Sequence, residues 1–216
     1  MKIAPSIIAA DFTRLKLEIK KVEKAGADLI HLDIMDGVFV PNITFGPMIV
    51  EAINNLTALE LDAHLMIVHP EKYFQRFIEA GADWISFHIE TVSDVKKSIK
   101  MIKSKRCRVG IALNPETPLT RVLKFIEELD YLLIMSVNPG FYGQKFRPEV
   151  LKKISRARDY IDKKRFKCLI QVDGGINGEN AGDIRRAGAD ILVAGAGIFK
   201  TGDYKKAIRD LRCSKI

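Results

Sequence analysis

Two short stretches of this chain carry side chains that could move protons or hold a metal. In His31-Leu32-Asp33-Ile34-Met35-Asp36-Gly37 an imidazole and a carboxylate stand two residues apart. In a strand that spacing puts both on one face, with Leu32 and Ile34 on the other. At a strand's C-terminal end such a pair can begin a metal site or an acid/base site, or it can be a satisfied polar pair in a core. The stretch Leu61-Asp62-Ala63-His64-Leu65-Met66 offers another carboxylate and imidazole two apart. Asp173 stands before Gly174-Gly175, and Ser6 closes the motif Ala4-Pro5-Ser6.

Apolar runs, caps and breakers divide the chain into strict β-α alternation. Strands are expected at 3–9, 29–35, 59–67, 84–89, 107–113, 131–137, 167–172 and 191–194. They are short and apolar on both faces, as buried parallel strands must be. Helices are expected between them: Asp11 caps one reaching Lys24, Pro47 opens one to about Asn55, and Thr117 with Pro118 starts one over 119–128. The last helix runs from the Gly195-Ala196-Gly197 turn to about Leu211. The tripeptide Gly-Ala-Asp recurs at 26–28, 81–83 and 188–190. Those copies lie close to two and four units apart if each unit has about 27 residues. Eight βα units in one α/β domain, residues 1–216, predict a TIM barrel. A doubly wound open sheet is the alternative, but the glycine fingerprint G-x-G-x-x-G after the first strand is absent.

The barrel rule places the active site at the C-terminal ends of the strands. It therefore collects Ser6, His31, Asp33, Asp62, His64 and Asp173 at one mouth. His31, Asp33, His64 and Asp173 offer two nitrogens and two carboxylate oxygens, a set that suits one divalent ion: zinc, ferrous iron, manganese or cobalt. Glycines crowd three neighbouring loops: Gly140-Phe141-Tyr142-Gly143, Gly174-Gly175 and Gly195-Ala196-Gly197. Backbone N–H groups there can approach an anion, and this fold binds phosphate after strands seven and eight. Met35, Met66 and Met135 end strands facing the same mouth, either as core filler or as an apolar floor under a reacting carbon.

Composition limits the partners. Among 216 residues 47% are hydrophobic and 29% charged, which describes a globular protein and excludes a disordered one. The net charge of +8 and pI near 9.3 would suit a phosphate-bearing partner. Its lysines and arginines are spread over 16–24, 96–108, 152–167 and 205–215, on the polar sides of expected helices, so no nucleic-acid partner is expected. No apolar stretch has membrane-spanning length, and Cys107, Cys168 and Cys213 have no metal-ligand spacing. Neither a membrane partner nor a disulfide framework is expected; the compartment expected is the cytoplasm.

Ala4-Pro5-Ser6-Ile7, the His31–Gly37 stretch, Val40-Pro41-Asn42, His64-Leu65-Met66, Met135-Ser136-Val137-Asn138-Pro139-Gly140 and Val172-Asp173-Gly174-Gly175-Ile176-Asn177 resemble the ribulose-phosphate 3-epimerase family. The resemblance covers essentially the whole chain. It implies an isomerase that inverts carbon 3 of a ketose phosphate, with Asp33 and Asp173 as the acid/base pair. By the same resemblance His31, Asp33, His64 and Asp173 bind the metal, and Ser6 and His64 contact the sugar. Gly140, Phe141, Tyr142, Gly143, Asp173, Gly174, Gly175, Gly195 and Ala196 would complete the substrate site. Two positions depart from the common pattern: Tyr142 stands where glycine is frequent, and Ala196 where serine or asparagine is. A homo-oligomer is also expected. Allulose-6-phosphate 3-epimerase shares the fold and chemistry and stays open as an alternative. A decarboxylase of related fold would want Asp-x-Lys-x-x-Asp, and the stretch 31–36 has no lysine. A non-catalytic phosphate- or metal-binding barrel is the third reading, and the Asp33–Asp173 pair argues against it.

Overall fold

The apolar runs form eight parallel strands: β1 (Lys2–Pro5), β2 (Leu29–Met35), β3 (Glu60–Met66), β4 (Trp84–His88), β5 (Arg108–Leu113), β6 (Tyr131–Met135), β7 (Leu169–Asp173) and β8 (Ile191–Ala194). The computed structural model describes residues 1–213, so the last three positions of the expected 1–216 domain, Lys215 among them, lie outside the described residues. The strands pair in the order β1-β8-β7-β6-β5-β4-β3-β2. β1 and β2, the two ends of that order, meet at the bridge Ser6↔His31. The result is the eight-stranded barrel that the βα repeat predicts.

Helices α1 (Leu15–Lys24), α2 (Pro47–Asn54), α3 (Phe74–Glu79), α4 (Val95–Lys103), α5 (Leu151–Lys164), α6 (Ala181–Arg186), α7 (Ala196–Phe199) and α8 (Tyr204–Cys213) cover the outside. Four expectations need correction. The first strand stops at Pro5, because the Ser6 side chain accepts the Ile8 N–H and starts a 3-10 turn over Ile7–Ala9. Residues 119–128 form two 3-10 turns instead of an α-helix. The expected cap there is missing because the Thr117 hydroxyl donates to Glu90 instead. Strand six ends at Met135, where Ser136 turns back to the Asp173 carbonyl. The terminal helix is broken in two around Gly202, and Asp203 accepts the Lys206 N–H to start α8.

The Gly-Ala-Asp repeat turns out to be a clamp. Each glycine takes a left-handed φ, +92° at Gly26, +103° at Gly81 and +108° at Gly188, which stops the helix. Each aspartate then grips the strand beside it twice. Asp28 donates its N–H to the Ile3 carbonyl and accepts the Ile3 N–H on its carboxylate at 2.8 Å. Asp83 does the same to Leu61, and Asp190 to Ile170. A fourth clamp, Asp130 on Val109, has no Gly-Ala before it. The clamps thus join β1 to β2, β3 to β4, β5 to β6 and β7 to β8 at the end opposite the active-site loops.

Alternation along each strand sorts the side chains. Leu32 and Ile34 of β2, Leu61, Ala63 and Leu65 of β3, and Leu132 and Ile134 of β6 point outward into a continuous apolar layer under the helices. Inside, the N-terminal end of the barrel is filled by Leu29, Trp84, Tyr131, Leu133 and Ile191, with Trp84 and Tyr131 edge to face at 5.1 Å. Above that plug the interior turns polar. Among the described residues no helix is long and apolar enough to cross a membrane.

Candidate active site

β2 projects His31 and Asp33 into the barrel, and β3 and β4 set His64 and His88 beside them. Asp33 is in register with His64, and β7 brings Asp173 from the other side. His31, Asp33, His64 and Asp173 each direct a ligand atom to one point, with those atoms within 4.8 Å of one another. His31 Nε2 lies 3.5 Å, and His64 Nδ1 3.4 Å, from Asp33 Oδ1. The two nitrogens are buried and accept or donate no hydrogen bond. Orphaned buried polar atoms are costly unless something binds them. Two imidazole nitrogens and two carboxylates fit a divalent cation, so these residues could hold a metal.

The layer below orients them. Asp62 Oδ2 lies 2.7 Å from His31 Nδ1, and it also accepts from Gln171 Nε2 at 2.6 Å. Tyr131 Oη donates to Asp62 Oδ1 at 2.8 Å. Asp62, expected at the mouth beside the ligands, therefore sits one level deeper and supports His31. Ser6 Oγ donates to Asp33 Oδ2, leaving Oδ1 for the two imidazoles. Asp36, the third acid of the β2 motif, is spent on backbone: it accepts the N–H groups of Val38, Phe39 and Val68.

The electrostatics separate the two carboxylates. Burial pushes both up. At Asp33 the imidazoles of His31 and His64 outweigh burial and hold the carboxyl well below the usual range. At Asp173 burial is reinforced by the nearby Asp33 charge, and the carboxyl rises to about 7. Burial lowers His64 to about 4, so it is neutral at neutral pH. His31 is held high because the carboxylates of Asp62 and Asp33 outweigh its burial. A carboxylate that is ionised and one that can carry a proton now share one cavity, the pattern that assigns base and acid.

That cavity has a volume of about 660 Å³. Met35, Met66 and Met135 line it, as do Gly174, Gly175, Gly195 and Ala196. Gly140, Phe141, Tyr142 and Gly143 form its rim, with Phe141 and Tyr142 half exposed. Gly175 is required twice over: its φ is +65°, and a Cβ there would come within 2.3 Å of the Phe146 N–H nitrogen. Asn42 Nδ2 donates to the Gly140 carbonyl at 2.8 Å, tying the loop after β2 to the loop after β6. Of the residues predicted for the site, Ser6, Asp33, Asp173 and the loop residues line this cavity, while His31 and His64 are fully buried beside Asp33. His88 and Glu90 were missed. They stand two apart at the end of β4, the same signal that singled out His31 and Asp33.

Comparison with known proteins agrees with this geometry. A sequence model of the "Ribulose-phosphate 3 epimerase family" matches residues 2–199. The chain is 50% identical over 216 residues to a ribulose-phosphate 3-epimerase of Bacillus subtilis, covering 100% of both. It is 49% identical to the Synechocystis protein of the same name, covering 99% of this chain and 94% of that one. A solved 3-hexulose-6-phosphate synthase from Salmonella typhimurium superposes with a TM-score of 0.71 over 98% of this chain and 96% of its own. At 20% identity that likeness shows the barrel fold alone.

Proposed function

The chain belongs to the ribulose-phosphate 3-epimerase family, and from that premise we propose how its residues divide the work of interconverting D-ribulose 5-phosphate and D-xylulose 5-phosphate. Inverting a carbon beside a ketone needs a proton removed from one face and another returned to the opposite face. Asp33, ionised, is the base on one side; Asp173, poised to carry a proton, is the acid on the other. In the reverse direction the roles exchange. The observation that carries this reading is the pair itself: two carboxylates in one cavity with proton affinities driven apart.

His31, Asp33, His64 and Asp173 would hold a divalent metal, whose identity among zinc, ferrous iron, manganese and cobalt the donor set leaves open. When bound, such an ion would supply positive charge that stabilises the negative charge developing on the substrate as the proton leaves. Ser6 keeps Asp33 oriented and lies within reach of a sugar hydroxyl. The methionines give the reacting carbons an apolar floor that excludes water. Gly174, Gly175, Gly195 and Ala196 present backbone N–H groups to the phosphate, and neither Tyr142 nor Ala196 removes such a group. The loop 140–143 covers the substrate from the rim.

Solvent hydrogen tests the division of labour. In D₂O, product formed early should carry deuterium at carbon 3, while recovered substrate carries almost none. A single base serving both faces would return deuterium to the substrate as well. Early deuterium in recovered substrate, or product that keeps its original hydrogen, sinks the two-carboxylate reading. Running the same assay with a six-carbon ketose phosphate decides against or for the allulose-6-phosphate alternative.

A further inference from the structure

The two histidines of the cluster are held in place differently. His31 Nδ1 meets the Asp62 carboxylate directly, which leaves Nε2 for the ligand cluster. The outer nitrogen of His64 meets no carboxylate. Its Nε2 lies 2.9 Å from Nε2 of His88, and the two rings stack with centroids 5.0 Å apart. Only one proton fits between two ring nitrogens at that distance, and its owner decides what His64 offers on its other side.

A metal on His64 Nδ1 needs the lone pair there, so the proton of neutral His64 must be on Nε2. His88 Nε2 must then accept it, and His88 must carry its own proton on Nδ1. Glu90 Oε2 lies 3.2 Å from that Nδ1. An ionised carboxylate can only accept, and Glu90 is held ionised: His88, the Thr117 hydroxyl and the Asn114 N–H outweigh its burial and bring it to about 2. Glu90 Oε1 is occupied by those last two donors. The loop that supplies them is braced from α5, where Lys153 Nζ donates to the carbonyls of Asn114, Pro115 and Thr117 at 3.0, 2.7 and 2.7 Å.

We propose that Glu90, acting through His88, is a positioning residue that fixes the His64 proton on Nε2 and so presents the Nδ1 lone pair to the metal. The assignment rests on the reading of His64 as a ligand. It gives the buried His88 and the part-buried Glu90 a task in metal binding, carried by a histidine relay where His31 has a single carboxylate.

Glu90→Gln tests it at nearly constant shape. Thr117 and Asn114 both donate to the position of Oε1, so the amide oxygen must take that place. The amide NH₂ then faces His88 Nδ1 and reverses every donor in the chain. Imidazole ¹⁵N NMR of the metal-free protein should find the His64 proton on Nε2 in the wild type and on Nδ1 in Glu90→Gln. Co(II) affinity, measured by chelator competition, should fall roughly 10–100-fold in that variant. Glu90→Asp keeps an acceptor-only group and should restore the wild-type tautomer and much of the affinity. A wild-type His64 protonated on Nδ1 overturns the proposal without any variant. So does Glu90→Gln with unchanged Co(II) affinity, or Glu90→Asp as impaired as Glu90→Gln. His64→Ala separates the two readings: full Co(II) affinity there would remove His64 from the ligand set itself, whereas lost affinity there with an unaffected Glu90→Gln would defeat the relay alone.

Discussion

The inner and outer faces of the barrel are made by the same strands and obey opposite rules. Outside, Leu32, Ile34, Leu65, Ile111 and Ile134 meet the helices in a continuous apolar layer. Inside and near the mouth, His31, Asp33, Asp62, His64, His88 and Gln171 are as deeply buried as those leucines, yet polar. Burial of apolar area stabilises the fold, while burial of charge costs stability unless each group is partnered. One residue of offset along β2 therefore separates what keeps the barrel folded from what lets it react.

The largest expected effect attacks the inner face. Asp33→Asn and Asp173→Asn should each lower kcat by roughly 10²–10⁴-fold, the usual worth of an acid/base group. Metal content must be measured alongside, and metal-free Asp173→Asn, which loses a carboxyl whose ionised form burial disfavours, should melt no lower than the wild type. Parallel loss of activity and melting temperature would show that the inner face also carries the fold. The converse variant, Leu32→Ala, should cost about 2–5 kcal/mol by denaturant unfolding. It should keep metal stoichiometry and kcat near wild type under folding conditions. A Leu32→Ala protein that folds fully but binds no metal would break the division between the faces.

The smallest effect sharpens the comparison through pH. Asp173 has a folded value near 7 against about 3.8 unfolded, so the folded metal-free protein holds a proton that the unfolded chain has lost. His31 is likewise raised in the folded protein, and its stabilisation is lost as pH rises through its folded value. Asp173 makes metal-free stability decline from about pH 4 to 7, and His31 makes it decline above about 6.5, so from pH 6.5 to 8 the remaining slope comes from the end of the Asp173 step and mainly from His31. Over that window His64, lowered to about 4, is neutral in both states at the upper end and adds little. Metal binding must displace the same protons, so affinity should climb by about tenfold per pH unit for each proton released. Opposite slopes in a thermal melt and a metal titration are the expected result; parallel slopes would mean that other groups govern the mouth.

Much of this was legible in the sequence because each signal was local. β2 at 29–35 and β8 at 191–194 were bounded correctly by apolar runs between a glycine stop and a polar turn. The four ligand candidates were found from their places at the C-terminal ends of expected strands, with parity pairing His31 and Asp33 on one face. What failed depended on distant partners. Thr117 has the sequence of a helix cap, but its hydroxyl is claimed by Glu90, 27 positions away in the chain. Pro5 and Ser6 sit in an apolar run that looked like strand until the Ser6 side chain met Ile8 and Asp33. His88 and Glu90 had the same parity, but the expected strand stopped at 89, so Glu90 fell outside it and the two were not seen as one face.

The aspartate clamps have a consequence for how the chain folds. They divide the barrel into four hairpin-sized modules, each a strand, a covering segment and its clamped successor. Cooperative units of this kind can open and close separately. The ligand set is drawn from three of them: His31 and Asp33 from the first, His64 from the second, Asp173 from the fourth. No module can assemble the site alone, and the first and fourth become neighbours only when β1 docks on β8. During refolding, the optical signature of Co(II) capture should therefore lag the far-ultraviolet signal of backbone order, making the metal a clock for ring closure.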